Sequence, residues 1–261
     1  MSITVDGKAN PIHLPSAGLS IARGELPGYS SVHKFGHQDA ITTALGTVWT
    51  GGTGLYAYLS TASVLKVSSE DADDKSDGTG ARTVRLIGLD TDYAPIEEVV
   101  ALNGQTAVDT TKSFLRLYRM LVETAGSQGF NDGAIWAGTG TVTAGVPAVK
   151  YGHIVDEFGQ SLMGFYTVPA GKQAFLLDTF FTVPKGKAIT ASITVRPFGG
   201  VFNIKDHFNF YEGVFQFFYP VPVAFDEKSD IECRGLTDSG TSEISAGFNL
   251  VLVDKVLQNN I

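Results

Sequence analysis

The chain has 261 residues and a mass of 27.8 kDa, with 43% hydrophobic and 18% charged residues, a net charge of −8 and an isoelectric point near 5.1. The apolar fraction supports a buried core, and the low charged content argues against a long solvated helical bundle. A single cysteine excludes an internal disulfide framework and a cysteine-built zinc site, and the acidic balance disfavours a general nucleic-acid binder, which must neutralise phosphates.

The first residues, Met1 to Asp6, lack a basic region followed by an apolar run, so no secretory signal is expected. Apolar stretches throughout are of strand length, short of the roughly 20 residues a spanning helix needs. Residues 1–54 hold scattered Pro, Gly, Ser and His with no sustained period, and Gly51 to Gly54 close the segment. This predicts an extended N-terminal arm that orders on a neighbouring subunit. Phe35, Val48 and Trp49 are its expected partner contacts, because a free tail gains nothing from such side chains.

From Leu55 the pattern changes to short strands and turns. Residues 81–89 alternate, Val84 and Leu86 against Arg85, and residues 96–102 follow as a strand. Asn103-Gly104 is a strong two-residue hairpin signal, with 105–108 expected to pair back. Residues 113–124, SFLRLYRMLVET, fit both a helical face and a strand, and their neighbours favour the strand. Further strands are predicted at 134–142, 173–183, 188–195, 201–210, 214–219, 230–234 and 247–253. About a dozen short strands at roughly 8–12-residue intervals predict an all-β protein, an antiparallel sandwich or jelly roll. The expected domains are the arm, a β-rich domain over 55–147 and a β-sandwich over 148–261, possible as one continuous unit, with the boundary at Gly145 to Pro147.

Catalytic patterns are absent. There is no GxSxG elbow, P-loop, HExxH or dinucleotide fingerprint, so no enzyme activity and no cofactor are expected. His33 and His37 are spaced i, i+4, but Phe35 and Gly36 intervene without helical period, so they are not read as metal ligands. Asp71, Asp73, Asp74 and Asp77 cluster in a turn that misses the twelve-residue calcium-loop pattern, leaving a solvated acidic turn or a loose calcium site. Asp156, Glu157, Asp178, Asp226 and Glu227 could in principle supply the carboxylate pair of a sandwich hydrolase, but read first as solvated strand ends. Cys233 lies mid-strand and reads as an inert thiol.

The most informative feature is an aromatic run containing Phe208, Phe210, Phe215, Phe217, Phe218 and Tyr219. Alternation puts rings on both faces of these strands, so both faces are expected to be covered. A thick sandwich core, an oligomer interface and a carbohydrate platform are the three readings, and these six residues are the expected interface.

Several stretches, taken in order, resemble a widespread group of tailed-bacteriophage virion structural proteins. They are His33 to Gly36, Val48 to Gly52, Gly78 to Val84 with Gly88 to Asp90, Glu98 to Gly104, Thr110 to Arg116, Thr124 to Gly126 and Tyr166 to Lys172. The resemblance covers roughly residues 31–172 and none of its motifs is catalytic. It implies a β-rich, non-enzymatic virion component assembled in a host cytoplasm, with the phage major capsid protein or other virion proteins as partners. A head decoration, cement or fibre protein that oligomerises, as a trimer, is the leading expectation. A tail, adaptor or receptor-binding component is the alternative. Neither nucleic acid nor membrane is expected as a partner.

Overall fold

Alternation of apolar and polar residues writes the strands directly. In ARTVRLIGL, Val84 and Leu86 are fully buried while Arg85 between them reaches solvent, as a period of two requires. The structure, a computed structural model, describes residues 4–5, 11–12 and 17–258. The predicted all-β class holds, with antiparallel pairing throughout. The chain opens with β1 (Thr4–Val5), β2 (Pro11–Ile12) and the short helix α1 (Ala17–Ala22), followed by β3 (Tyr29–Ile41) and β4 (Gly46–Thr47). Next come β5 (Ser63–Ser69), β6 (Ala81–Leu89), β7 (Pro95–Ala101), β8 (Val108–Phe114), β9 (Arg116–Ala125), β10 (Ile135–Thr143) and β11 (Val146–Ile154). The last part holds β12 (Phe165–Thr167), β13 (Lys172–Arg196), β14 (Asn203–Phe225), β15 (Asp230–Thr237), β16 (Ser242–Asp254) and α2 (Lys255–Gln258).

The long strands form one hydrogen-bonded sheet that folds over on itself. β13 pairs with β14 on one side along nearly its whole length. On its other side β16 pairs with residues 172–182 and β15 with residues 189–196, so β15 and β16 lie end to end. β3 continues beyond β16, and β4 and β12 beyond β15. The ring of Phe181 lies 5.6 Å from that of Phe208, although Phe208 pairs with Ala191, about ten residues along β13 from Phe181. A straight strand would separate those positions by roughly 33 Å. The ribbon therefore bends through half a turn between Val183 and Ala188, where the register breaks. Gly186 (φ 76°) and Gly213 (φ 94°), each in its own strand's bend, and Gly240 (φ 61°), in the turn between β15 and β16, supply left-handed backbone that side chains resist.

Two facing layers result. One runs β3–β16–first half of β13–second half of β14. The other runs β4 and β12–β15–second half of β13–first half of β14. This folded ribbon is a jelly roll. Leu176, Phe181, Ile193, Ile231, Phe248 and Leu250 fill its interior.

Between β4 and β12 the chain builds a second sandwich. Its sheets are β11–β10–β5–β8 and β7–β6–β9, packed around Leu65, Val84, Leu86, Phe114, Met120 and Ile135. Its entry and exit lie side by side: Trp49 bridges Met163, and the Gly164 amide donates to the Val48 carbonyl at 2.9 Å. Tyr118 packs against both cores.

These pairings redraw the expected domain limits. Residues 29–47 are not an arm but the jelly roll's own edge, tied to β16 and β15. Gly145 to Pro147 is not a boundary but part of the β10–β11 hairpin, whose turn uses Ala144 and Gly145 at positive φ. Asn103-Gly104 does not close a hairpin either. β7 pairs with β6 and β8 with β5, so this turn carries the chain from one sheet to the other. Residues 113–124 are strand, as read, shared between β8 and β9. Residues 1–3, 6–10 and 13–16 of the predicted arm, with His13, lie outside the described residues.

Candidate functional site

β14 is the outer strand of both layers of the jelly roll. It pairs only with β13, so its far edge carries unpaired backbone along both layers among the described residues. Natural edges are blunted by lysines and prolines. Here Pro220 and Pro222 protect one end, but residues 207–218 carry one formal charge, Glu212 at the bend. The inward side chains of this strand form a chain of rings. Phe208 and Phe215 lie 4.9 Å apart, Phe210 and Phe215 stack at 5.7 Å, and Phe217 meets Tyr219 at 5.0 Å. Phe208, Phe210, Phe215 and Tyr219 pack against the jelly-roll core but stay half-exposed, because none of the described residues closes the sandwich on this side. Tyr211, Val214, Phe218 and Val221 are exposed, Val214 to 76% and Phe218 to 63%. The six aromatic residues singled out from sequence thus fall into two sets, a half-open core end with Phe217 at its rim, and Phe218 on the free outer face.

The expected arm contacts are placed differently. Val48 is buried in the jelly-roll core and Trp49 in the core of the second sandwich, so neither is free to reach a partner. Trp49 packs edge-on against Tyr56 at 5.0 Å. Phe35 points out of the jelly roll and is half-buried under Arg119, whose guanidinium lies 6.0 Å from the ring.

Sequence reasoning missed one arrangement that looks catalytic. His37 Nδ1 lies 2.8 Å from Ser245 Oγ, and its Nε2 lies 2.7 Å from Asp39 Oδ1. The spacing of His37 and Asp39 puts both on one face of β3, and register places Ser245 directly opposite. The geometry is that of a serine relay, but Ser245 stands mid-strand between β3 and β13. Its surrounding amides are held in two ladders, so no donor pair is left for an oxyanion, and Asp39 is largely solvated. His33 instead meets Asn249 at 2.7 Å.

Three of the remaining acidic candidates are held by other partners. Asp74 is fully buried and accepts hydrogen bonds from Ser69 and the amides of Ala81, Asp132 and Gly133. Such a carboxylate fixes a turn and leaves no vacant ligand set. Asp178 accepts from Asn249, and Glu227 from Lys255 and the Gly171 amide. Burial pushes the Cys233 thiol well above its ordinary range, which removes it as a nucleophile.

His153 is a buried titratable group with a consequence for stability. It stacks on Trp136 at 3.8 Å, and its Nδ1 has no partner. Burial pushes its pKa down to about 4, against a weaker opposing pull from the Thr50 backbone. The unfolded imidazole titrates near 6.5. Above that pH both states are neutral and stability is complete. As pH falls from about 6.5 to about 4, the unfolded chain gains a proton that the folded chain refuses, and stability declines by up to about 3 kcal/mol. Denaturant titrations at pH 7 and pH 4.5 should show this loss, and His153→Phe should shrink it. An unchanged pH slope in that variant would assign the effect to other groups.

No family model and no curated protein matches the chain. Among solved structures it is similar to that of infectious bursal disease virus, Gt strain, at 11% identity over 88% of this chain and 73% of that chain, with a TM-score of 0.24. It is also similar to the Gx strain, at 9% identity over 94% and 75%, with a TM-score of 0.24. The VP2 subviral particle of the same virus is similar at 10% identity over 88% and 73%, with a TM-score of 0.20. At these TM-scores the jelly-roll assignment rests on the strand pairing alone.

Proposed function

We propose that this chain is a non-enzymatic structural subunit of a virion, completed by copies of itself. The observation that carries the reading is the uncovered edge of β14, an aromatic strand serving both layers of a jelly roll. An open edge of this length with half-exposed rings behind it is unfavourable in a monomer and is removed by association. On the resemblance to tailed-phage virion proteins, we place the subunit on the head, as a decoration, cement or fibre protein bound to the major capsid protein. A trimer would pack three ring stripes around one axis. A tail or adaptor position is separated by copy number, hundreds per particle for a decoration protein and a few to tens for a tail part. The net charge of −8 keeps the free subunit soluble and disfavours a position against packaged DNA.

The test is mass in solution. The wild-type chain should sediment as an oligomer at micromolar concentration. Val214→Lys combined with Phe218→Lys should weaken association by about a hundredfold or more, since each buries a charge without a partner. Both positions are exposed in the single chain, so folding should be unaffected. A wild-type chain that stays monomeric at tens of micromolar would overturn the reading.

A further inference from the structure

Where the β13–β14 turn meets the second sandwich, a cavity of about 610 Å³ opens to solvent, lined by Tyr93, Arg116, Arg196, Phe198 and Lys228. It is cationic, although the chain as a whole is acidic. Arg116, Arg196 and Lys228 face one carboxylate, Asp230, whose oxygens already accept from Arg116, Arg196 and Thr167. Lys228 forms no ion pair among the described residues; the nearby Glu227 is held by Lys255 and the Gly171 amide. Its Nζ instead lies 5.6 Å from the Tyr93 centroid and 5.0 Å from that of Phe198. Arg196, also in the lining, donates to Asp230 through Nε and Nη2, which leaves its Nη1 without a hydrogen bond among the described residues. Phe198 is 63% exposed and stands edge-on to Tyr93 at 5.7 Å, filling no core. Tyr93 and Lys228 both hold left-handed backbone at φ 62°, a strained conformation for such side chains.

We infer that this cavity binds an acidic sugar. The exposed ring of Phe198 offers an apolar face for the C–H side of a pyranose, and Lys228 Nζ with Arg196 Nη1 offers donors for its carboxylate. A bare phosphate would use the cations and leave the ring idle. A neutral sugar would use the ring and leave Lys228 without a counter-charge. The cavity has the size of a small-ligand site with few polar groups placed around an apolar wall. This inference is independent of the self-association argued above.

The test is a calorimetric or NMR titration of the full chain with digalacturonate, lactose and inorganic phosphate. Digalacturonate should saturate at millimolar concentration or below, with lactose about tenfold weaker or worse. Phe198→Ala and Lys228→Gln should each weaken digalacturonate binding by about tenfold while thermal unfolding stays at the wild-type midpoint. The two substitutions sit on separate turns, so either one carries the test. Absence of saturable digalacturonate binding would overturn the inference. So would phosphate binding as tight as digalacturonate, with neither ligand affected by Phe198→Ala, because the site would then be a simple anion patch.

Discussion

Asp230→Ala should lower the stability of this protein by about 3–5 kcal/mol, the largest loss expected from a single polar side chain. The carboxylate is 2% exposed and accepts from Arg116 Nε at 2.8 Å, Arg196 Nε at 2.9 Å and Thr167 Oγ1 at 2.6 Å. Those partners come from β9 of the second sandwich and from β13 and β12 of the jelly roll, so one side chain fastens the two units. Removing it leaves Arg116, itself only 7% exposed, without a counter-charge. An uncompensated buried charge costs far more than the intact pair contributes. For a chain of this length the midpoint of thermal unfolding should fall by roughly 10 °C. Denaturant unfolding is the measurement, read from the shift in midpoint at constant slope. A loss below about 1 kcal/mol would mean that water replaces the carboxylate and that the network is effectively solvated.

Gly36→Ala should be nearly as damaging, for a steric reason. A Cβ at this position would meet the Gly164 nitrogen at 2.2 Å and the Val48 carbonyl oxygen at 2.3 Å. Both are backbone atoms, so no rotamer change relieves the contact. β3 would have to move away from the paired segments through which the chain enters and leaves the second sandwich. That displacement would also strain the Gly164-to-Val48 hydrogen bond. Overpacking with a lost backbone bond adds up to about 3 kcal/mol. Gly18→Ala in α1 is the control, because nothing lies within 4 Å of its added methyl. It should leave stability unchanged or raise it by up to about 1 kcal/mol. Equal effects from the two substitutions would refute the close-approach argument.

Much of the strand content was legible, since β6 and the two halves of β13 alternate cleanly and the chain bends where turn residues interrupt them. β3 was hidden for a physical reason. Its inward positions are Lys34, Gly36 and Gln38, so the period of two is present but not apolar. They face the junction, where Lys34 donates to the Tyr118 carbonyl and Gln38 to the Trp49 carbonyl. Polar residues facing a polar seam look like loop in sequence. The aromatic strand showed its importance through rings on both faces, but not that it forms the open side of a jelly roll. The Arg116–Asp230–Arg196 cluster left no signal, because its members lie 114 and 34 residues apart and only the fold brings them together. The same holds for Ser245 and His37.

The pairing of β3 with β16 has a kinetic side. β3 is made about 200 residues before its ladder partner β16. At a ribosomal pace of roughly 5–20 residues per second, β3 waits on the order of 10–40 s before its partner exists. The second sandwich has all its strands in hand well before that and can close first. The jelly roll cannot, and nascent chains crowded on one message would hold unpaired β3 strands beside finished β14 edges. The polar inward face of β3 fits that interval, since a face of Lys34, Gly36 and Gln38 adheres poorly to a neighbour's sheet while it waits.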